Sequence, residues 1–216
     1  MLRVAEHMSV QDVKENISKR HNPVNFNKIL ETEFEELNKA TKVAKHDYHT
    51  FTFATIDSNT PQQRTVVLRS FDKRKNQIAF HSDIRSPKLN HIQLNCNVSA
   101  LFYDKIRKVQ LRIVGKAVVT RDDGELKKIW CLMKPDSKLC YMGPFSPSEK
   151  LDYFQPNLPI LDANNIDAES NEFGFRNFCR IKIKMESIEW LKLSYEGHKR
   201  ILFHFTTKVQ PQWLAT

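Results

Sequence analysis

His49-Thr50-Phe51-Thr52-Phe53-Ala54-Thr55-Ile56, a turn over Asp57 to Pro61, then Arg64-Thr65-Val66-Val67-Leu68-Arg69: this stretch decides the fold. The first run alternates polar and apolar residues with period two, as a strand with one buried face does. The second is β-branched and apolar, so a short turn joins two antiparallel strands. After another turn over Asp72 to Asn76, Gln77-Ile78-Ala79-Phe80-His81 reads as a third strand.

Working outward, Val98 to Tyr103 and Lys108 to Thr120 return to strand, with Gly115 marking a bulge. Alternation resumes from Phe175 to Leu193, and Arg200 to Thr206 is expected as the closing strand. Helical spacing of Ile29, Phe34, Leu37, Ala40, Val43 and Ala44 predicts an amphipathic helix over about 25–45. Ser86 as N-cap and Pro87 at the first helical position predict a short helix to about Asn95. A further helix starts at Asp122 and carries Leu126, Ile129, Trp130 and Met133. Residues 9–20 are polar, a short helix or a disordered arm, and Pro135 to about Asn171, with an acidic loop from Asp162 to Glu172, reads as irregular. Short turns between strands, without the crossover helices a parallel sheet needs, give an α+β protein with an antiparallel barrel-like sheet and flanking helices. The expected layout is one domain, 1–216, with barrel core at about 47–120 and 175–206.

The 216 residues are 40% hydrophobic, with fourteen Phe and five Gly, which suits packed strands rather than a flexible chain. No apolar run approaches the roughly 20 residues that span a bilayer, and Met1 to His7 has no apolar signal core, so a cytoplasmic, membrane-free protein is expected. Cys96, Cys131, Cys140 and Cys179 form no Cys-x-x-Cys pair and read as free thiols, each best taken as a small buried hydrophobe. The net charge of +9 admits nucleic acid, an anionic membrane or a phosphorylated ligand. No nucleic-acid-reading motif accompanies it, and Lys73-Arg74-Lys75 sits at a hairpin tip where charge is solvation. His46-x-x-His49 has metal-ligand spacing on a helix but no acidic partner follows, so no metal is expected.

A phosphate attracts guanidinium forks, an ammonium, hydroxyls and helix N-termini. All four lie between Arg64 and Lys88. Their order, Arg64-Thr-Val-Val-Leu-Arg69, Phe80-His81-Ser82, Ser86-Pro-Lys88, Asn95 to Phe102, and Val109-Gln110-Leu-Arg-Ile-Val-Gly115-Lys-Ala117, resembles the pyridoxine/pyridoxamine 5'-phosphate oxidase family. The resemblance covers about Phe51 to Thr120, with a second stretch near the C-terminus, and implies an antiparallel split β-barrel that binds flavin mononucleotide (FMN).

By that resemblance, Arg64 and Arg69, with the strand backbone of Thr65, Val66, Val67 and Leu68, would hold the phosphate and flavin edge. His81-Ser82 stands where the family commonly has Tyr-Thr. Lys88 would bind phosphate and Gln110 the flavin or its ribityl chain, while Ser86 is taken as the helix cap. Pro87 replaces an Arg of the family's Ser-Arg-Lys, which removes one phosphate ligand. Trp190 and Arg200 match the family's closing segment and would reach the FMN of a partner chain across a homodimer interface. His198 is the candidate nearest the reacting carbon.

The substrate half departs from the pattern. Where the family's oxidase has an Arg two residues before that His, this chain has Glu196. The Tyr, Arg and Ser that clamp the substrate phosphate lack clear equivalents, with Ser137 the one possible match and Trp130 and Lys134 nearby. Tyr141-Met-Gly-Pro-Phe-Ser-Pro-Ser148 reads as a loop particular to a divergent member. Three readings follow: an FMN-dependent oxidoreductase with an altered and unknown substrate, a flavin-binding or storage module without turnover, and a true pyridoxamine 5'-phosphate oxidase.

Overall fold

The computed structural model describes residues 24–159, 163–205 and 209–216. The chain forms two compact units that divide after Phe34. The expectations for residues 9–20, for Asp162 and for Thr206 lie outside the described residues.

Helix α1 spans Phe26–Ala40, and a 3-10 turn, Asp47–His49, leads into β1 (Thr50–Asp57). The helix stops five residues short of the expected end. Thr41 turns its hydroxyl back to the Asn38 carbonyl at 2.7 Å, and Val43 is exposed, so no apolar face continues beyond Ala40. Strand β2 (Thr60–Val67) follows a tight turn at Ser58-Asn59, with Ser58 in the left-handed region (φ 55°). Pro61 therefore lies inside β2 rather than in the turn. It is tolerated because β2 is an edge strand.

Strands β3 (Ser70–Asp72), β4 (Gln77–Asp83), β5 (Asn97–Asp104) and β6 (Val109–Thr120) come next, with α2 (Lys88–Leu94) between β4 and β5. Helices α3 (Asp123–Leu132), α4 (Pro135–Leu139) and α5 (Ala168–Asn177) precede β7 (Phe178–Lys192), β8 (Lys199–Phe205) and β9 (Val209–Leu214). Part of the stretch expected to be irregular is thus helical. Asp167 caps α5 by accepting from the Ser170 amide at 2.7 Å, and the helix carries Phe175 out of the strand that was expected to start there. The last strand is β9, not the one beginning near Arg200.

Every strand pairing is antiparallel, in the order β2-β1-β5-β6-β7-β4-β3, with β8 on β7 and β9 on β8. β7 organises the sheet. One flank pairs along its length with β6, while the other is shared: Phe178 to Lys184 pair with β4, and Ser187 to Lys192 pair with β8. The sheet divides at that point; β2 comes near β4 without pairing to it, and the Arg69 amide donates to the Ala79 carbonyl at 2.8 Å beside the Ser70–Ala79 pair of β3 and β4. The bulge falls between Val114 and Gly115, with Glu186 the extra residue on β7. A Cβ at Gly115 would lie 2.1 Å from the Lys184 carbonyl oxygen, so the close strand approach requires glycine.

Phe51, Phe53, Phe80 and Phe102 fill the barrel, with Phe51 stacked on Phe102 at 4.6 Å and Phe53 tilted on Phe80 at 4.8 Å. A separate cluster of Leu126, Trp130, Met142 and Phe178 lies under α3, with Ile129, Met133, Tyr141 and Phe175 packed around it. Of the cysteines, only Cys179 is a buried hydrophobe. Cys96, Cys131 and Cys140 are exposed, and all four are free.

Candidate functional site

Arg64 rises from β2, and its Nη1 donates to the Thr55 hydroxyl (2.7 Å) and the Gln62 carbonyl (3.0 Å), with a longer contact to the Phe53 carbonyl (3.4 Å). Its Nε and Nη2 have no hydrogen-bond partner among the described residues. Lys88, at the start of α2, donates to the hydroxyls of Ser82 (3.1 Å) and Ser86 (2.5 Å). Ser86 is therefore a partner of the ammonium rather than the helix cap. The helix begins at Lys88, and Pro87 occupies the cap position with no side-chain bond.

Neither cation is paired with a carboxylate among the described residues. Burial lowers the pKa of both, and the nearby Arg64 charge lowers that of Lys88 further. Two partly buried cations lie near each other among hydroxyls and carbonyls; the Asp83 carboxylate, itself paired with Arg85, acts on Lys88 from nearby but forms no ion pair with it. That is the electrostatic signature of a site for an anion.

Arg69 and His81 lie beside a cavity of about 480 Å³, lined also by Ile129, Met133, Lys134, Ser137 and Tyr141. Burial, with the charges of Arg69 and Arg180, pushes the His81 pKa down to about 3, so the imidazole is neutral at ordinary pH. Its ring packs edge-on against Phe178 at 4.9 Å, and its nitrogens bond to no other described residue. Burial raises the Tyr141 pKa, so its phenol keeps its proton. Arg180, opposite His81 on β7, bonds to Glu125 (3.1 Å) and to the Ser70 hydroxyl, while its buried Nε has no partner. Glu125 also binds Lys182, and so ties the start of α3 to β7.

Of the residues marked from the sequence, Ser82 and Arg64 lie beside Lys88, while Arg69 and His81 line the cavity. Within β2, Thr65 is exposed, Val66 and Val67 are half-buried, and the strand's outer edge leaves backbone groups open to a ligand. Leu68 belongs to the core, and its amide donates to the His49 carbonyl (2.8 Å), which leaves only its carbonyl for a ligand. Sequence reasoning missed the roles of Lys134, Ser137 and Tyr141 as cavity lining. The available signal was the one possible match, Ser137, to the family's substrate serine, with Lys134 nearby.

Gln110, Trp190, Arg200 and His198 lie elsewhere. Gln110 pairs with Tyr103 and Leu191, and Trp190 is buried between Leu111 and Ile201. Trp190 lies ten residues along β7 from Arg180, roughly 30 Å of extended strand. Arg200 donates through Nε to the buried Glu189 carboxylate (2.9 Å), which Arg112 also binds. His198 is exposed on the β7–β8 turn, its Nδ1 accepting from the Ser194 amide (3.2 Å). Glu196 and Gly197, the latter at φ 112°, are on the same turn. The His46-x-x-His49 pair is not a metal site: Nε2 of His46 meets Glu36, its Nδ1 accepts from the Tyr48 amide, and His49 bonds to the Ala40 carbonyl. No metal-ligating cluster occurs among the described residues, and no described helix is long and apolar enough to cross a membrane.

Residues 26–121 match the family model described as pyridoxamine 5'-phosphate oxidase, FMN-binding domain. The pyridoxine/pyridoxamine 5'-phosphate oxidase of Enterobacter sp. (strain 638) is 30% identical over 82 residues. That is 38% of this chain, and it spans only 37% of the relative's length. A pyridoxamine 5'-phosphate oxidase-related, FMN binding protein from Nostoc punctiforme PCC 73102 superposes with a TM-score of 0.64 at 20% identity, covering 86% of this chain and 96% of that one. PhzG from Burkholderia lata 383, solved with tetrahydrophenazine-1-carboxylic acid, gives 0.64 at 16% identity, with 90% and 95% covered. At these identities the two structures establish the shared split-barrel fold.

Proposed function

We propose, from the match of residues 26–121 to the FMN-binding domain of pyridoxamine 5'-phosphate oxidase, that this chain binds FMN and acts as an oxidoreductase with an altered substrate site. The observation that carries the reading is that Arg64 and Lys88 act on each other at close range while neither is in an ion pair among the described residues. A phosphate dianion fits this donor set: it would face the uncommitted Arg64 Nε and Nη2, the Lys88 ammonium and the Ser86 hydroxyl, while the Ser82 hydroxyl donates to the Asp83 carbonyl. It would also relieve the repulsion that lowers the Lys88 pKa. The flavin, when bound, supplies two-electron hydride chemistry. The protein's part is to hold the phosphate, to present the β2 edge, and to offer the Arg69–His81 cavity to a substrate.

Purified protein should therefore carry a flavin absorbance spectrum, with FMN in the released ligand. Arg64→Ala and Lys88→Ala should each weaken FMN binding roughly ten- to a hundred-fold, the loss of a charge-assisted bond of about 1.5–3 kcal/mol. Riboflavin, which lacks the phosphate, should be held equally by all three proteins. Wild-type FMN affinity in either variant would remove the phosphate assignment. A flavin module without turnover is the competing reading, favoured by the lack of an Arg among the cavity residues contributed by α3 and α4. Stopped-flow reduction of the bound flavin by candidate substrates separates the two.

We also propose a homodimer. Gln110, Trp190, Arg200 and His198 complete a flavin site only if a second copy brings them to Arg64 and Lys88. The outward faces of β5 and β6 support this, exposing Leu101, Tyr103, Val114 and Val118. Light scattering at micromolar concentration should give twice the 25.4 kDa chain mass, and a monomer with flavin bound would contradict it.

A further inference from the structure

His91 lies on α2, three residues after Lys88, and is buried. Its Nδ1 is 3.1 Å from the Thr55 hydroxyl, and its Nε2 faces the Asp57 carboxylate at 3.5 Å. Thr55, also buried, is the residue whose oxygen accepts from Arg64 Nη1. The Asp57 carboxylate favours the imidazole hydrogen on Nε2, which leaves Nδ1 of the neutral ring to accept from the Thr55 hydroxyl, while the Thr55 oxygen accepts from Arg64. The contacts run in one direction: Arg64 donates to Thr55 and Thr55 to His91, whose Nε2 faces Asp57 at 3.5 Å.

This relay joins the two elements that supply the cations. Arg64 stands on β2 and Lys88 on α2, and the Thr55–His91 bond crosses between β1 and α2. The two cations repel, and neither is in an ion pair among the described residues that would set their spacing. Thr55 instead fixes Nη1 and so sets which way the free Nε and Nη2 edge of Arg64 faces.

We propose that His91, acting through Thr55, is a positioning residue that sets Arg64 against Lys88 and so determines preference for a phosphorylated flavin over its unphosphorylated form. The proposal rests on the phosphate-site reading above. FMN and riboflavin affinities of wild type, Arg64→Ala, His91→Leu, His91→Asn and Thr55→Val test it, by quenching of flavin fluorescence. His91→Leu and Thr55→Val should each weaken FMN about five- to thirty-fold, the size of a lost buried hydrogen bond and a misplaced cation, with riboflavin changed less than about twofold. His91→Asn, whose carboxamide oxygen takes the Nδ1 position, should recover most of the FMN affinity. In an Arg64→Ala background, His91→Leu should cost nothing further.

An unchanged FMN-to-riboflavin ratio in Thr55→Val, or equal loss of both ligands in Thr55→Val and His91→Asn, overturns the proposal and leaves His91 as packing. If Arg64→Ala loses discrimination and neither His91→Leu nor Thr55→Val does, only the relay fails. Wild type that binds FMN no better than riboflavin sinks the phosphate site and the relay with it.

Discussion

Formation of pyridoxal 5'-phosphate by this protein should be tens- to about a thousand-fold less efficient than by an authentic oxidase assayed alongside it. By the family resemblance, Glu196 takes the place of a substrate-binding Arg, on an exposed turn that would face a partner's cavity in the proposed dimer. A carboxylate there repels a phosphorylated substrate. The cavity itself offers Arg69 and Lys134, but no Arg from α3 or α4. An ammonium lacks the planar fork that grips phosphate with two bonds, so Lys134 replaces a guanidinium only in part. Steady-state assay decides the matter. Efficiency equal to the authentic enzyme would show that the closing segment does not govern the substrate, and Glu196→Arg should raise a weak activity if it does.

Acid should destabilise the ligand-free protein early, because of His81. Its pKa is about 3 in the folded protein, below the ordinary 6.5. Below pH 6.5 the unfolded chain takes up a proton at this residue that the folded chain excludes. The stability that neutral His81 contributes is therefore complete above pH 6.5 and is lost as pH falls toward 3, at about 1.4 kcal/mol per pH unit. Urea unfolding at pH 6.5, 6.0, 5.5 and 5.0 reads this slope before most carboxylates titrate. His81→Phe, which keeps an aromatic ring against Phe178, should flatten it. The same slope in the variant would show that other groups drive the acid sensitivity.

The barrel was legible because each of its strands buries one face, and alternation from Phe51 to Ile56 or from Ile181 to Met185 has no other economical explanation. Two strands escaped for different reasons. β3 has three half-buried residues, too few for a pattern, and β9 is largely exposed with Pro211 inside it. Helix α5 was hidden by its acidic start, which reads as loop until Asp167 is seen to cap it. Ser86-Pro87-Lys88 was read as a cap when its hydroxyl serves the Lys88 ammonium. In the site, the residues that the family resemblance marks on β2, β4 and α2 were visible. The Thr55–His91 bond was not, since it joins positions 36 apart and neither residue stands out in its own segment. The cavity wall from α3 and α4 was equally opaque, because only folding sets Lys134 and Ser137 opposite Arg69.

That wall has its own hydrophobic foundation. Trp130, Leu126, Met142 and Phe178 pack together apart from the barrel phenylalanines, and Phe178 is the one member that belongs to a strand. Ile129, Leu132 and Met133 can consequently be exchanged without altering the register of any strand pair, and Leu132 is almost wholly exposed already. Such an arrangement lends itself to divergence. Mutational drift, or a directed library confined to those three positions, would explore new ligand shapes while the frame bearing Arg64 and Lys88 stayed intact.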